Sequence, residues 1–191
     1  DRLVPLTEKG WQQARKTGKA LKKLFGSFNY VFYSDYKRAD ETTAAILGAY
    51  NMKERSRMAI KAEPLLRERE SGYFHNMTEE EIQEKFPWFL EYWESAPVFD
   101  RLPIGGESIR GMAEGRLSRV LEKLENLSCE AGDKTVMFGT HGRTIIGLRY
   151  LLEGWDNDRA NFEIKNNNPP NASVTVYSLD YLGKPKLKFA N

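Results

Sequence analysis

Apolar residues recur along this chain with two periods, and the periods alternate. Trp11, Ala14, Gly18, Leu21 and Phe25 fall three or four residues apart, the spacing of one helix face, after Thr7, a residue suited to cap that helix. Lys16, Lys19, Lys22 and Lys23 fall mostly off the face, and Gly26 stops the helix. Tyr30-Val31-Phe32-Tyr33 then reads as a short buried strand, closed by a turn at Ser34-Asp35. Ala39, Thr43, Ile46 and Tyr50 mark the inner side of a second helix, and residues 58–62 read as a strand that stops at Pro64.

Further along, Thr78-Glu79-Glu80-Glu81 is a capping-box start for a short acidic helix that Pro87 breaks. Phe86, Trp88, Phe89, Tyr92, Trp93 and Phe99 make the next stretch aromatic. From Glu107 a long helix carries Ile109, Met112, Leu117, Val120, Leu124 and Leu127 at helical spacing. Residues 135–138 form a nearly continuous apolar strand, and a very apolar helix, 144–152, follows it. A loop rich in Asn and Pro at 166–171 leads into an alternating strand at 173–179, and Gly183-Lys184-Pro185 turns into a last strand. Fully apolar strands followed at once by helices predict a three-layer α/β/α fold with a mostly parallel central sheet. A short helical cap is expected at about residues 73–105, and with no internal repeat or long linker residues 1–191 read as a single domain.

Composition narrows the function. Apolar residues make up 40% of the chain and charged residues 29%, an ordinary globular balance, and the net charge of +2 leaves no basic excess for nucleic acid. One cysteine, Cys129, in a polar helical context, rules out an internal disulfide or thiolate cage. Two histidines, His75 and His141, are too few for a histidine-rich metal site, so neither metal nor cofactor is expected. No apolar run approaches the roughly 20 residues of a membrane span. The expected address is cytoplasmic, although a chain that opens on Asp-Arg-Leu-Val-Pro-Leu without an initiator methionine is compatible with a removed leader or a missing N-terminal segment. Oligomeric state is not legible.

Two segments carry candidate chemistry. Phe138-Gly139-Thr140-His141-Gly142 puts a histidine where a buried strand ends and an apolar helix begins. Ligands of open α/β sheets sit at that edge, and helix N-termini offer N–H groups to anions. The simpler alternative is a histidine that caps the helix or pairs with a neighbouring carbonyl. Ser34-Asp35-Tyr36-Lys37-Arg38 repeats the geometry, with Arg38 in the first helical turn. The helix dipole disfavours a cation there, so its planar fork suits an anion it has been placed to grip. Its alternative is a solvated arginine beside Asp40 and Glu41.

In order along the chain, these segments and others resemble the histidine phosphatase superfamily, which includes cofactor-dependent phosphoglycerate mutases and many small phosphatases. Leu6-Thr7 with Gly10 and Gln13-Ala14 is similar to the family's first helix after its catalytic loop. Ser34 with Arg38-Ala39 and Glu41-Thr42 resembles its second phosphate-gripping arginine motif, and Leu66 with Glu68 and Gly72 resembles the segment holding its proton donor. Gly106-Glu107-Ser108 is similar to the start of its long helix, Thr140-His141-Gly142 to its second catalytic histidine, and Pro170-Asn171 with 173–177 to its last core strand.

The resemblance implies a phosphomonoester hydrolase acting on a small phosphorylated substrate. Glu68 would protonate the leaving alcohol, while Arg38, His141 and Gly142 would hold the phosphate; Arg143, where many members of the family carry a smaller residue, is a candidate contact for the rest of the substrate, and an arginine that simply lies outside is the alternative. Within Arg67-Glu68-Arg69-Glu70, only the spacing to Gly72 selects Glu68 over Glu70, and a solvated charge run is the plain alternative. The family's attacking histidine lies in an Arg-His-Gly motif that this sequence lacks; His75 sits in the wrong context to replace it and reads as a surface or cap histidine. The expected explanation is an N-terminally incomplete chain, without its first strand and nucleophile loop. Only 34 residues separate Gly72 from Glu107, a short cap that suits a phosphatase. Mutase-type phosphoryl transfer and a non-catalytic phospho-ligand binder are the alternatives.

Overall fold

The computed structural model describes residues 2–128, 132–180 and 183–190; Cys129 lies outside the described residues. Helix α1 (Glu8–Phe25) starts where Thr7 accepts the Gly10 N–H and ends at Gly26. Strand β1 (Tyr30–Tyr33) follows, then α2 (Lys37–Leu47), the one-turn helix α3 (Met52–Arg55) and strand β2 (Ala59–Ala62). Helices α4 (Glu79–Lys85) and α5 (Pro87–Ser95) lie in the expected cap region; Thr78 closes the predicted capping box, and Pro87 opens α5 as its first residue.

The long helix from Ser108 comprises α6 (Ile109–Met112), a π-helical turn (Ala113–Leu117) and α7 (Ser118–Ser128). Strand β3 (Val136–Gly139) runs directly into α8 (Gly142–Glu153), and α9 (Asn157–Asn166) comes next. The sequence reading missed α9, and Asn166, placed at the head of a loop, is its last residue. Strands β4 (Thr175–Leu179) and β5 (Pro185–Ala190) close the chain as an antiparallel hairpin.

The main sheet has the order β2-β1-β3 and is parallel throughout, with Val31 level with Ile60 and Met137. Alternation along these short strands divides the core into two layers. Val31 and Met137 join Ala14, Leu21, Ile46 and Leu47 of α1 and α2 on one side. Phe32 and Phe138 pack on the other, against Leu66, Ile109, Met112, Leu117 and Ile146. At Gly18 an added Cβ would lie 2.5 Å from the Ile46 carbonyl oxygen, so only glycine lets α1 approach α2 this closely. The β4–β5 hairpin is a separate sheet among the described residues, tied to α1 by the Thr17 hydroxyl, which donates to the Ala172 carbonyl (2.9 Å), and to α8 by a Tyr177–Glu153 hydrogen bond.

Candidate active site

All three parallel strands deliver a chemically useful segment at their carboxyl ends. After β1, Ser34 and Tyr36 lead into α2, and Arg38 is the second residue of that helix. After β2, residues 63–70 cross to the same edge and carry Glu68. After β3, Thr140 and His141 precede α8, with Gly142 as its first residue. The register places these exits side by side: the Ser34 N–H donates to the Gly139 carbonyl (2.8 Å), and the Glu63 N–H donates to the Tyr33 carbonyl (2.7 Å).

His141 is 7% exposed and makes no capping hydrogen bond, which removes the plain reading of it as a helix cap. Its Nε2 instead lies 2.8 Å from the buried Ser34 hydroxyl, and its ring meets the edge of Tyr36 at 5.3 Å between centroids. Burial, reinforced by the charges of Arg38 and Arg116 against the opposing pull of Asp35, pushes its pKa down to about 3. His141 is therefore a neutral imidazole at physiological pH.

Arg38 lies with its guanidinium carbon 5.2 Å from the Tyr36 ring centroid. Burial presses its pKa down, and the charge of the neighbouring Glu68 opposes that shift. Glu68 is half-buried; one carboxylate oxygen accepts the Arg69 N–H (2.9 Å) and the other a long contact from the Arg143 N–H (3.4 Å) at the start of α8. Arg38, Glu68 and His141 thus come together at one rim of the sheet, with Gly142 and Arg143 beside them. Glu70 is exposed and accepts the hydroxyl of Tyr36, the residue whose ring meets His141, at 2.6 Å. That contact and burial, with burial the larger effect, push the Tyr36 phenol up to about 12.

The backbone of the Glu68 segment is held by glycine geometry. Gly72 has φ +55°, and a Cβ there would lie 2.1 Å from the Ile104 carbonyl oxygen. Asp35 is chelated by Arg67 through both Nε and Nη2, and these hydrogen bonds hold its pKa below the usual carboxylate range. His75 is exposed, at the end of a short 3₁₀ turn, as expected for a cap histidine. Most cap aromatics pack together: Phe74 meets Phe86, Phe89 and Trp93 edge-on, while Trp88 remains 71% exposed. Among the described residues no group of three or more His, Cys, Asp or Glu side chains could hold a metal ion. Within the same set no helix is long and apolar enough to cross a membrane.

Sequence reasoning missed Arg116 and Thr144 as parts of this site and named Thr140 only within the His141 motif. Their side chains bind backbone carbonyls of residues 65–68, and only the two threonines flanking His141 gave any signal.

The family model of the histidine phosphatase superfamily (branch 1) matches residues 3–191. The 2,3-bisphosphoglycerate-dependent phosphoglycerate mutase of Rhizobium etli is 31% identical over 157 residues, covering 78% of this chain and 69% of that enzyme. The corresponding mutase of Xanthobacter autotrophicus is 27% identical over 151 residues, again covering 78% and 69%. Among solved structures, Bacillus stearothermophilus YhfR superposes with a TM-score of 0.76 at 25% identity, covering 97% of this chain and 84% of that one. A mycobacterial glucosyl-3-phosphoglycerate phosphatase with inorganic phosphate shares the fold, with a TM-score of 0.74 at 22% identity, covering 100% and 90%.

Proposed function

We propose that this chain, which belongs to the histidine phosphatase superfamily (branch 1), forms the phosphate pocket of an enzyme that hydrolyses small phosphomonoesters through a phosphohistidine. The observation that carries this reading is the meeting of an arginine, a carboxylate and a neutral imidazole where three adjacent parallel strands end. Such a set suits a tetrahedral dianion, with a fixed cation and hydrogen-bond donors for the oxygens and a carboxyl for the ester bridge.

The nucleophile is assigned, as the family resemblance implies, to a histidine of an Arg-His-Gly motif in sequence outside these 191 residues. Its imidazole nitrogen attacks phosphorus as the ester P–O bond breaks, and the departing oxygen takes the proton of the Glu68 carboxyl. Water then attacks the phosphohistidine, passing one proton to Glu68 as the P–N bond breaks, and inorganic phosphate leaves. Through both steps Arg38 offsets charge on the equatorial oxygens. His141, being neutral, presents an N–H to them without adding charge, and Gly142 opens α8, whose first turn adds partial positive charge.

Phosphate release from a panel of esters, by protein carrying its native N-terminal sequence and without a bisphosphorylated activator, tests the reading. Steady release supports a phosphatase. Identity of 31% to a phosphoglycerate mutase favours one second reading, phosphoryl transfer between positions of a substrate. That reading requires the activator and predicts little net release.

A further inference from the structure

Residues 65–68, which carry Glu68, lead out of a 3₁₀ turn (Pro64–Leu66), and all four of their carbonyls accept hydrogen bonds from side chains. Arg116 donates from Nη1 to the Leu65 carbonyl (2.5 Å) and from Nη2 to the Glu68 carbonyl (3.0 Å). The Thr140 hydroxyl donates to the Leu66 carbonyl (2.7 Å), and the Thr144 hydroxyl to the Arg67 carbonyl (2.8 Å). The two threonines flank His141, so one half of the clamp is built on the helix start that holds the imidazole. The other half is Arg116, itself fixed by Glu107, whose carboxylate oxygen lies 2.7 Å from Nη2 and also accepts the Glu70 N–H (3.2 Å). Arg116 sits within the π-helical turn at Ala113–Leu117. Such single turns carry one more residue than α geometry allows, and they persist mostly where a side chain needs a particular aim.

We infer that Arg116 is a positioning residue: by bridging the carbonyls of Leu65 and Glu68 it fixes the proton-donating carboxyl of Glu68 relative to His141. The inference rests on the role proposed for Glu68. A planar guanidinium can span two carbonyls and a carboxylate at once, whereas an ammonium is a point donor and cannot. Positioning of a general acid matters in proportion to how poor the leaving group is. A 4-nitrophenolate departs with little help, while an alkoxide needs the proton, which is worth roughly 10²–10⁴-fold.

The test compares kcat/KM, which reports steps through alcohol release, for a simple alkyl phosphate and for 4-nitrophenyl phosphate. It uses the protein with its native N-terminus, as wild type, Arg116→Ala and Arg116→Lys. The alkyl-to-aryl ratio is expected to fall at least ~30-fold in both variants. Because lysine keeps the charge that also bears on His141, a normal ratio in Arg116→Lys would assign the effect to charge and overturn the bridging role. Equal losses on both esters would overturn it too, as a general structural defect. If the Arg116 variants do not fold, Thr144→Val decides: it removes only the hydroxyl bound to the Arg67 carbonyl, and an unchanged ratio there rejects the clamp. A wild type that hydrolyses neither ester would instead sink the proposed function itself.

Discussion

Ser34 and His141, 107 residues apart, are joined by a 2.8 Å hydrogen bond between the serine hydroxyl and the imidazole Nε2 at the ends of neighbouring parallel strands. The same hydroxyl also accepts the Tyr36 N–H at 3.3 Å. Replacing Ser34 by alanine leaves a buried ring nitrogen unsatisfied, a loss of about 1–3 kcal/mol in urea unfolding. Turnover of any phosphate ester should also drop, because the ring loses its orientation.

The depressed pKa of His141 predicts acid sensitivity. Its folded value is about 3 against an ordinary 6.5, so between those pH values the unfolded chain binds a proton that the folded one does not. Stability contributed by this site is intact above pH 6.5 and falls as pH drops toward 3, by up to about 1.4 kcal/mol per pH unit. The slope of unfolding free energy between pH 6 and pH 4 should be shallower in His141→Gln than in wild type. In a His75→Asn background, the imidazole resonances should stay at neutral positions from pH 8 to pH 5.

Much of the fold was legible because its signals are local. Thr7, Thr78 and Gly26 act at helix ends as their chemistry dictates, and the apolar run at β3 leading into α8 fixed where His141 would lie. Helix α9 was hidden because its inner face is not simply apolar. Glu163, 1% exposed, sits between Ala160 and Ile164 and is paired with Arg149 and Arg159, so a buried ion pair stands where the pattern needs a hydrophobe. The π-turn was equally silent, since one extra residue in a polar stretch leaves the helical spacing on either side intact. Among the site residues, only the spacing to Gly72 selects Glu68 over Glu70, and Gly72 itself turns the chain with positive φ against the Ile104 carbonyl.

Gly72→Ala should therefore be costly. The substitution forces a left-handed residue and places a methyl group 2.1 Å from backbone, so a loss of more than ~1 kcal/mol is expected. Thermal unfolding measures the loss. Turnover should suffer beyond it, because Gly72 turns the segment that carries Glu68.

Arg143 offers a test of specificity. Its Nη1 is buried without a hydrogen-bond partner among the described residues, while its backbone N–H touches Glu68. If the guanidinium contacts the part of the substrate beyond phosphorus, Arg143→Ala raises KM for the natural ester about tenfold, equivalent to roughly 1.4 kcal/mol, and leaves KM for a bare aryl phosphate alone. Equal changes on both would remove Arg143 from substrate recognition.

If Arg38, Glu68 and His141 serve one anion, titration with vanadate, a phosphate analogue, reads that pocket directly. Calorimetry on protein with its native N-terminus should show Arg38→Ala and His141→Ala each weakening vanadate binding at least ~10-fold. Glu68→Gln, which leaves the groups proposed to grip the anion in place, should bind at least as tightly as wild type. Vanadate affinity indifferent to Arg38→Ala would contradict the account.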